Sequence, residues 1–450
     1  MNRRNPVGMG RVVLLVAAAS VAMGCDHFTA RAGGPSRFLA VWAGDADRHD
    51  EDFLAIIDVR SGSPTFGRIM KTVVVGSKAN EPHHVDFSAR ADGTLWASGL
   101  LSSRTFVFDL SRPLDGRLVK VDAPTSERVH TPAHAYATLP DGHTIATAMD
   151  MMSAEYEDTP HGEHSDAAPG GLLEFDARGN FIRRISAAAQ DAGNALVSPY
   201  GIAVQPEIDR FVTTNVGHGW LPNARALMPG TSVQVWRLSD RTVLRTLPLE
   251  PGPRKAEHLG PYEPRFVNAS KSQTVFVNTV LGSALYVSTN VAAPAPTFRL
   301  VHDFGADAIL GYSLITRNDR YYIQALTRTN KVAVLDVADP LQPRQVAEVR
   351  FDRSPEDPSE TRQGQPHFLA LDRDDRRLAV SDYVVDLPAL HADGDRRVYL
   401  LALDPLTGAL EFDRSFRDEV TRSVGVDFNR ENWPHGRTGP ARPHGMMFLP

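Results

Sequence analysis

Four histidine-bearing segments carry the residue types best suited to chemistry: His83-His84, His134, Pro366-His367 and Pro443-His444. Neutral imidazole is a common metal ligand and suits Cu, Zn, Fe or Ni. The chain has a single cysteine, Cys25, close to its N-terminus. The rest of the chain therefore offers no disulfide, no thiolate nucleophile and no Cys-based zinc or iron–sulfur site. A metal here must be held by His, Asp or Glu. His83 and His84 are adjacent, so on a regular strand they point to opposite faces. Both can ligate only where the strand start is irregular; otherwise one ligates and the other is structural. Taken singly, each histidine reads more simply as a wetted residue bonded to water or backbone. The metal reading rests on their convergence.

A repeat supplies that convergence. A turn residue, usually Pro, precedes a short apolar strand at Pro82, Pro132, Pro199, Pro264, Pro366 and Pro443, with Gly311 in the equivalent place of a further unit. Three more strand-like runs follow each of the first six. In the first unit they are 94–98, 104–110 and 117–121. Four strands per unit is the signature of propeller blades. The last unit has only its first strand, and 38–42, 53–59 and 68–75 at the other end supply the missing three. The fold expected is all-β: a seven-bladed β-propeller over 36–450, its last blade closed by N- and C-terminal strands. Closure removes the exposed edges of an open array. Pro is tolerated at the first residue of a strand that pairs on one side only.

Aligning the units puts His83, Ala133, Tyr200, Arg265, Tyr312, His367 and His444 just after the turn residue. His84, His134, Gly201, Phe266, Ser313, Phe368 and Gly445 come next. Histidines thus fall in units six, seven, one and two, which are neighbours in a closed ring. The other half carries Tyr200, Arg265 and Tyr312. These either orient a small substrate or anion, or leave Arg265 to pair with Glu263 and tie blades together. Tyr200, Tyr312 and Asp86 are the candidates for moving protons. His161, Glu163 and His164 lie in a polar stretch, 151–171, read as a solvated insertion. His435 is read as a loop residue near the channel mouth, and the charged run 45–52 as solvated.

The N-terminus reads as a targeting segment. Arg3, Arg4 and Arg11 precede an apolar run, 12–23, too short to span a bilayer. Ala22-Met23-Gly24-Cys25 is similar to a bacterial lipobox, which makes 1–24 a lipoprotein-type signal peptide with Cys25 lipidated; cleavage after Ala32 is the alternative. Either way the mature protein lies outside the cytoplasm, in the periplasm; in the lipoprotein reading an N-terminal lipid is its one membrane contact. With 48 Lys+Arg against 54 Asp+Glu, no basic field points to nucleic acid.

The chain resembles the selenium-binding protein / methanethiol oxidase family from about Phe38 to His444. The carriers are 53–59 with 63–67, Glu81-Pro82-His83-His84, 100–110, Pro132-Ala133-His134, Gly170-Gly171-Leu172, 337–344 and Pro443-His444. The resemblance implies a copper-containing propeller that oxidises methanethiol with O2 and water to formaldehyde, hydrogen sulfide and hydrogen peroxide. The copper ligands it implies are His83, His84, His134 and His444; the residues themselves add His367. The cysteines proposed to bind selenium in animal members have no counterpart, and the Glu that usually follows the last His is Gly445. A metal-binding carrier or sensor without turnover is a second reading. A Ca2+-dependent lactonase is a third; it requires oxygen ligands, which the aligned ring lacks.

Overall fold

The computed structural model describes Met1 and residues 36–86, 93–123, 133–149, 170–192, 197–218, 228–387 and 390–450. The leader with Cys25 and the stretch holding His161, Glu163 and His164 lie outside the described residues. The compact unit is Pro35–Pro450.

Its strands form seven principal sheets, each read from an inner to an outer strand. Blade one is Pro82–Val85, Thr94–Gly99, Arg104–Asp109 and Arg117–Asp122. The inner strands of blades two to six are Ala133–Thr138, Pro199–Gln205, Pro261–Phe266, Leu310–Ile315 and Phe368–Leu371. Blade seven is built from both chain ends. Ala441–Leu449 is its inner strand, and Phe38–Asp45, Phe53–Asp58 and Ile69–Val74 complete it. Each inner strand touches the next around the full circle, and each pairs within its blade on one side only. The seven-bladed propeller and the split closing blade are as the repeat predicts.

Apolar content follows position in the blade. Middle strands such as Phe53–Asp58, Val275–Thr279 and Tyr321–Leu326 are buried along their whole length. They are covered on both faces by neighbouring blades, so they read as continuous apolar runs rather than alternating ones. Outer strands meet water: Arg117–Asp122 alternates, and Phe181–Ser186 is mostly exposed. Ring closure has its own polar lock. Arg377 of blade six pairs with buried Asp372 and donates to the Ser36 carbonyl at 2.7 Å and to the Val59 carbonyl, both in blade seven. The Ser36 hydroxyl bonds Asp372 Oδ1 at 2.5 Å.

Two smaller readings are corrected. His435 is not at the channel mouth. Its Nδ1 lies 2.8 Å from Thr72 Oγ1 on the outermost strand of blade seven, and its ring packs 4.8 Å from Phe53. The run 45–52 is solvated only in part. Asp45 and Asp52 are buried because they cap its turn: Asp45 accepts from the His49 and Asp50 amides, and Asp52 from those of Asp45 and Asn80.

Candidate metal centre

The inner strands share one irregularity. In blade one Pro82 pairs with Gly99 and Val85 with Ala97, so three steps on the inner strand match two on its partner. The same one-residue bulge recurs at Ala133/Tyr136, Pro199/Ile202, Pro261/Pro264 and Leu310/Ser313. In blade seven it lies between Pro443 and Met446, opposite Val41/Ala43. Glu81, Gly260 and Ile309, each just before an inner strand, share positive φ of 54°, 68° and 45°. A bulge re-aims side chains. Here it turns two consecutive residues per blade, which a regular strand would send to opposite faces.

The bulge residues are His83-His84, His134-Ala135, Tyr200-Gly201, Tyr262-Glu263, Gly311-Tyr312 and His444-Gly445 in blades one to five and seven. Blade six has no bulge; His367 directly precedes its inner strand and donates its amide to the Ser381 carbonyl at 2.8 Å. This register corrects the sequence alignment in three blades. His134, not Ala133, corresponds to His83, and Tyr312 falls one place later. In blade four the counterpart is Tyr262, not Arg265, because Pro261 rather than Pro264 opens the strand.

The histidines gather at the axis. The His83 and His84 rings stack at 4.7 Å with 5° between planes, so the bulge lets both face the same space. One ligand atom from each of His83, His84 and His134 lies within 4.8 Å of the others. His444 sits 4.1 Å from His83 between ring centroids, and His367 stands farther out, 4.9 Å from His444 and 6.5 Å from His83. All five are at most 4% exposed. Burial, then the neighbouring imidazoles, holds His83, His84 and His444 well below the ordinary histidine range. Burial brings His134 and His367 down to about 3. The cluster is therefore neutral at pH 7, the form that binds metal.

The nitrogens are also suitably disposed. His134 Nδ1 is 3.0 Å from the Tyr200 carbonyl, which leaves Nε2 for a ligand. His134 Nε2, His83 Nδ1 and both His367 ring nitrogens are buried without a hydrogen-bond partner among the described residues. Buried polar atoms without partners are rare and call for an explanation. An all-nitrogen cluster that contains such atoms fits a late first-row metal ion such as copper.

The other half of the ring is aromatic and charged. The Tyr200 ring lies 3.5 Å from that of His134, and its hydroxyl donates to the Tyr262 hydroxyl at 2.6 Å. Tyr312 stacks on Phe368 at 4.5 Å. Burial raises the phenols of Tyr200 and Tyr312 well above their ordinary value, so both stay protonated. Arg265 lies over the Tyr312 ring at 4.4 Å, donates to the Ser313 and Pro264 carbonyls at 2.7 Å each, and meets Glu263 at 3.2 Å. Arg265 thus pairs with Glu263 within one strand, and its bond to Ser313 is what ties blade four to blade five. Asp86 accepts from Thr138 Oγ1 at 2.7 Å. Sequence reasoning missed Tyr262 and the approach of Glu263 to His84; Pro261 was the signal for both.

The family model of the 56 kDa selenium-binding protein matches residues 35–448. The methanethiol oxidase of Ruegeria pomeroyi is 26% identical over 351 residues, 71% of this chain and 74% of that protein. The methanethiol oxidase of a Hyphomicrobium species is 25% identical over 219 residues, 48% of this chain and 46% of that one. Among solved structures, a hypothetical selenium-binding protein from Sulfolobus tokodaii has the same fold, with a TM-score of 0.75 at 18% identity over 92% of this chain and 94% of that chain.

Proposed function

The chain belongs to the 56 kDa selenium-binding protein family, and from that membership we propose that it is a copper-dependent oxidase of methanethiol or a related small thiol. The reaction is methanethiol, O2 and water to formaldehyde, hydrogen sulfide and hydrogen peroxide. The observation that carries the reading is the meeting of His83, His84 and His134 within 4.8 Å, beside His444. These four residues would hold the metal, with His367 at its edge. Bound copper would supply a soft acceptor for sulfur and an electron path to O2. The rest falls to the chain's own residues. Tyr200, Tyr312 and Phe368 are buried around His84, and Tyr200 also packs on His134; these rings would keep water away and favour a small substrate. The protonated Tyr200 hydroxyl, bonded to Tyr262, holds a proton at the cluster's edge.

The experiment is metal analysis of protein from a periplasmic extract, followed by thiol-dependent oxygen uptake. About one copper per chain, lost in His134→Ala and His444→Ala, with methanethiol turnover, supports the reading. Tight copper without oxygen uptake across a thiol panel makes the protein a carrier or sensor instead. We also propose export to the periplasm with a lipid on Cys25. Palmitate labelling that vanishes in Cys25→Ala tests the lipid, and cleavage after Ala32 predicts no label.

A further inference from the structure

We propose that Glu263 is the positioning carboxylate of this centre, orienting His84 and raising its strength as a ligand; the inference rests on the metal reading above. Glu263 occupies the second bulge position of blade four, the place that His84 has in blade one. Blades one and four lie nearly across the ring, yet Glu263 Oε1 reaches 3.7 Å from His84 Nδ1. The two side chains are 1% and 0% exposed. Glu263 is the sole carboxylate among the bulge residues, so this approach is not one instance of a general acidic lining.

Its orientation is fixed from behind. Arg265 Nη1 holds Oε2 at 3.2 Å and is itself anchored on the Ser313 and Pro264 carbonyls. The Glu263 amide donates to Asn278 Oδ1 at 2.7 Å, and Asn278 Nδ2 in turn donates to Gln324 Oε1 at 2.9 Å. One carboxylate oxygen is thus committed to Arg265. The other, Oε1, has no hydrogen bond among the described residues and faces His84. A blade tie needs only the Arg265 side; it does not explain a second buried oxygen aimed at an imidazole.

The arrangement Arg265–Glu263–His84 has the form of a carboxylate–histidine pair behind a metal. A carboxylate beside Nδ1 places the ring proton there and leaves Nε2 as the ligand atom. It also makes the imidazole a stronger donor, which favours metal binding. The Tyr200 carbonyl does the same for His134 at 3.0 Å. Two of the imidazoles would then present Nε2, each fixed by an oxygen behind it.

The test loads full-length wild type and Glu263→Gln with Cu(II), then with Cu(I), against a chromophoric chelator, and records the Cu(II) EPR spectrum. The amide keeps the shape and loses the charge. The expected result is a copper affinity about 10- to 100-fold weaker, a changed copper hyperfine coupling, and melting of the metal-free protein close to wild type. Unchanged affinity and spectrum overturn the inference and leave Glu263 as a blade tie. If the amide variant fails to fold, Glu263→Asp replaces it; it keeps the charge and withdraws the carboxylate from His84. A shifted spectrum with native melting supports the role, and a wild-type spectrum and affinity overturn it. Wild type that takes up no copper overturns the inference together with the metal reading, whereas a copper-binding wild type with an indifferent Glu263→Gln overturns the inference alone.

Discussion

His367→Gln should make the metal-free protein less sensitive to acid. His367 is 2% exposed, neither ring nitrogen has a hydrogen-bond partner among the described residues, and burial alone brings its pKa from 6.5 to about 3. In the unfolded chain the imidazole takes up a proton near 6.5; in the folded protein it stays neutral until about 3. Between those values the unfolded state binds more protons, so this group's contribution to stability falls as pH falls through 6.5 and levels off near 3. From pH 7 to pH 5 the loss works out at about 2 kcal/mol for this one residue. Other groups titrate in the same range, and some oppose it: burial raises Glu263 to about 7, so its protonation favours the folded state as pH falls. These contributions cancel when the variant is compared with wild type at each pH. The assay is urea unfolding of both metal-free proteins at pH 7, 6 and 5. The variant should gain about 2 kcal/mol on wild type across the range, whatever the difference at pH 7. A difference that stays constant refutes the idea that His367 is held neutral in the folded apoprotein.

Other substitutions probe other links. In Gly445→Ala the new Cβ would lie 2.4 Å from the His83 carbonyl, so blade one must shift; destabilisation of about 1–3 kcal/mol and weaker copper uptake are expected, read by melting and chelator competition. Arg377→Ala strips the ring lock from Asp372 and from the Ser36 and Val59 carbonyls and should lose about 3–5 kcal/mol in urea unfolding, with blade seven most exposed to proteolysis. Tyr200→Phe removes the 2.6 Å bond to Tyr262 and should lose about 1 kcal/mol. His435→Ala should leave copper stoichiometry unchanged, since that ring bonds Thr72 on the outer strand; loss of copper in it would contradict the placement.

The blade count was legible because turn residues and apolar runs recur, and because three orphan strands at one end matched one at the other. The clustering of His83, His134 and His444 followed from ring adjacency alone. What the sequence did not disclose was register. Pro264 reads as the start of the fourth inner strand because a single turn residue, Pro or Gly, marks each of the others, yet Pro261-Tyr262-Glu263-Pro264 offers two prolines. Choosing between them needs the bulge, and a bulge is defined by hydrogen bonds to a partner strand, which no local pattern records. The same blindness affected Ala133 and Tyr312, each displaced by one residue. Gly445 is also explained only in three dimensions: the His83 carbonyl fills the space a side chain there would need.

His444 belongs to the strand that joins the two chain ends. Its imidazole arrives beside His83 only when the circle shuts, so His83, His84 and His134 gain their fourth partner last. A folding stage with most blades formed but the ring still open would therefore hold an incomplete ligand set. The full ligand set is then a property of the closed ring rather than of any one blade.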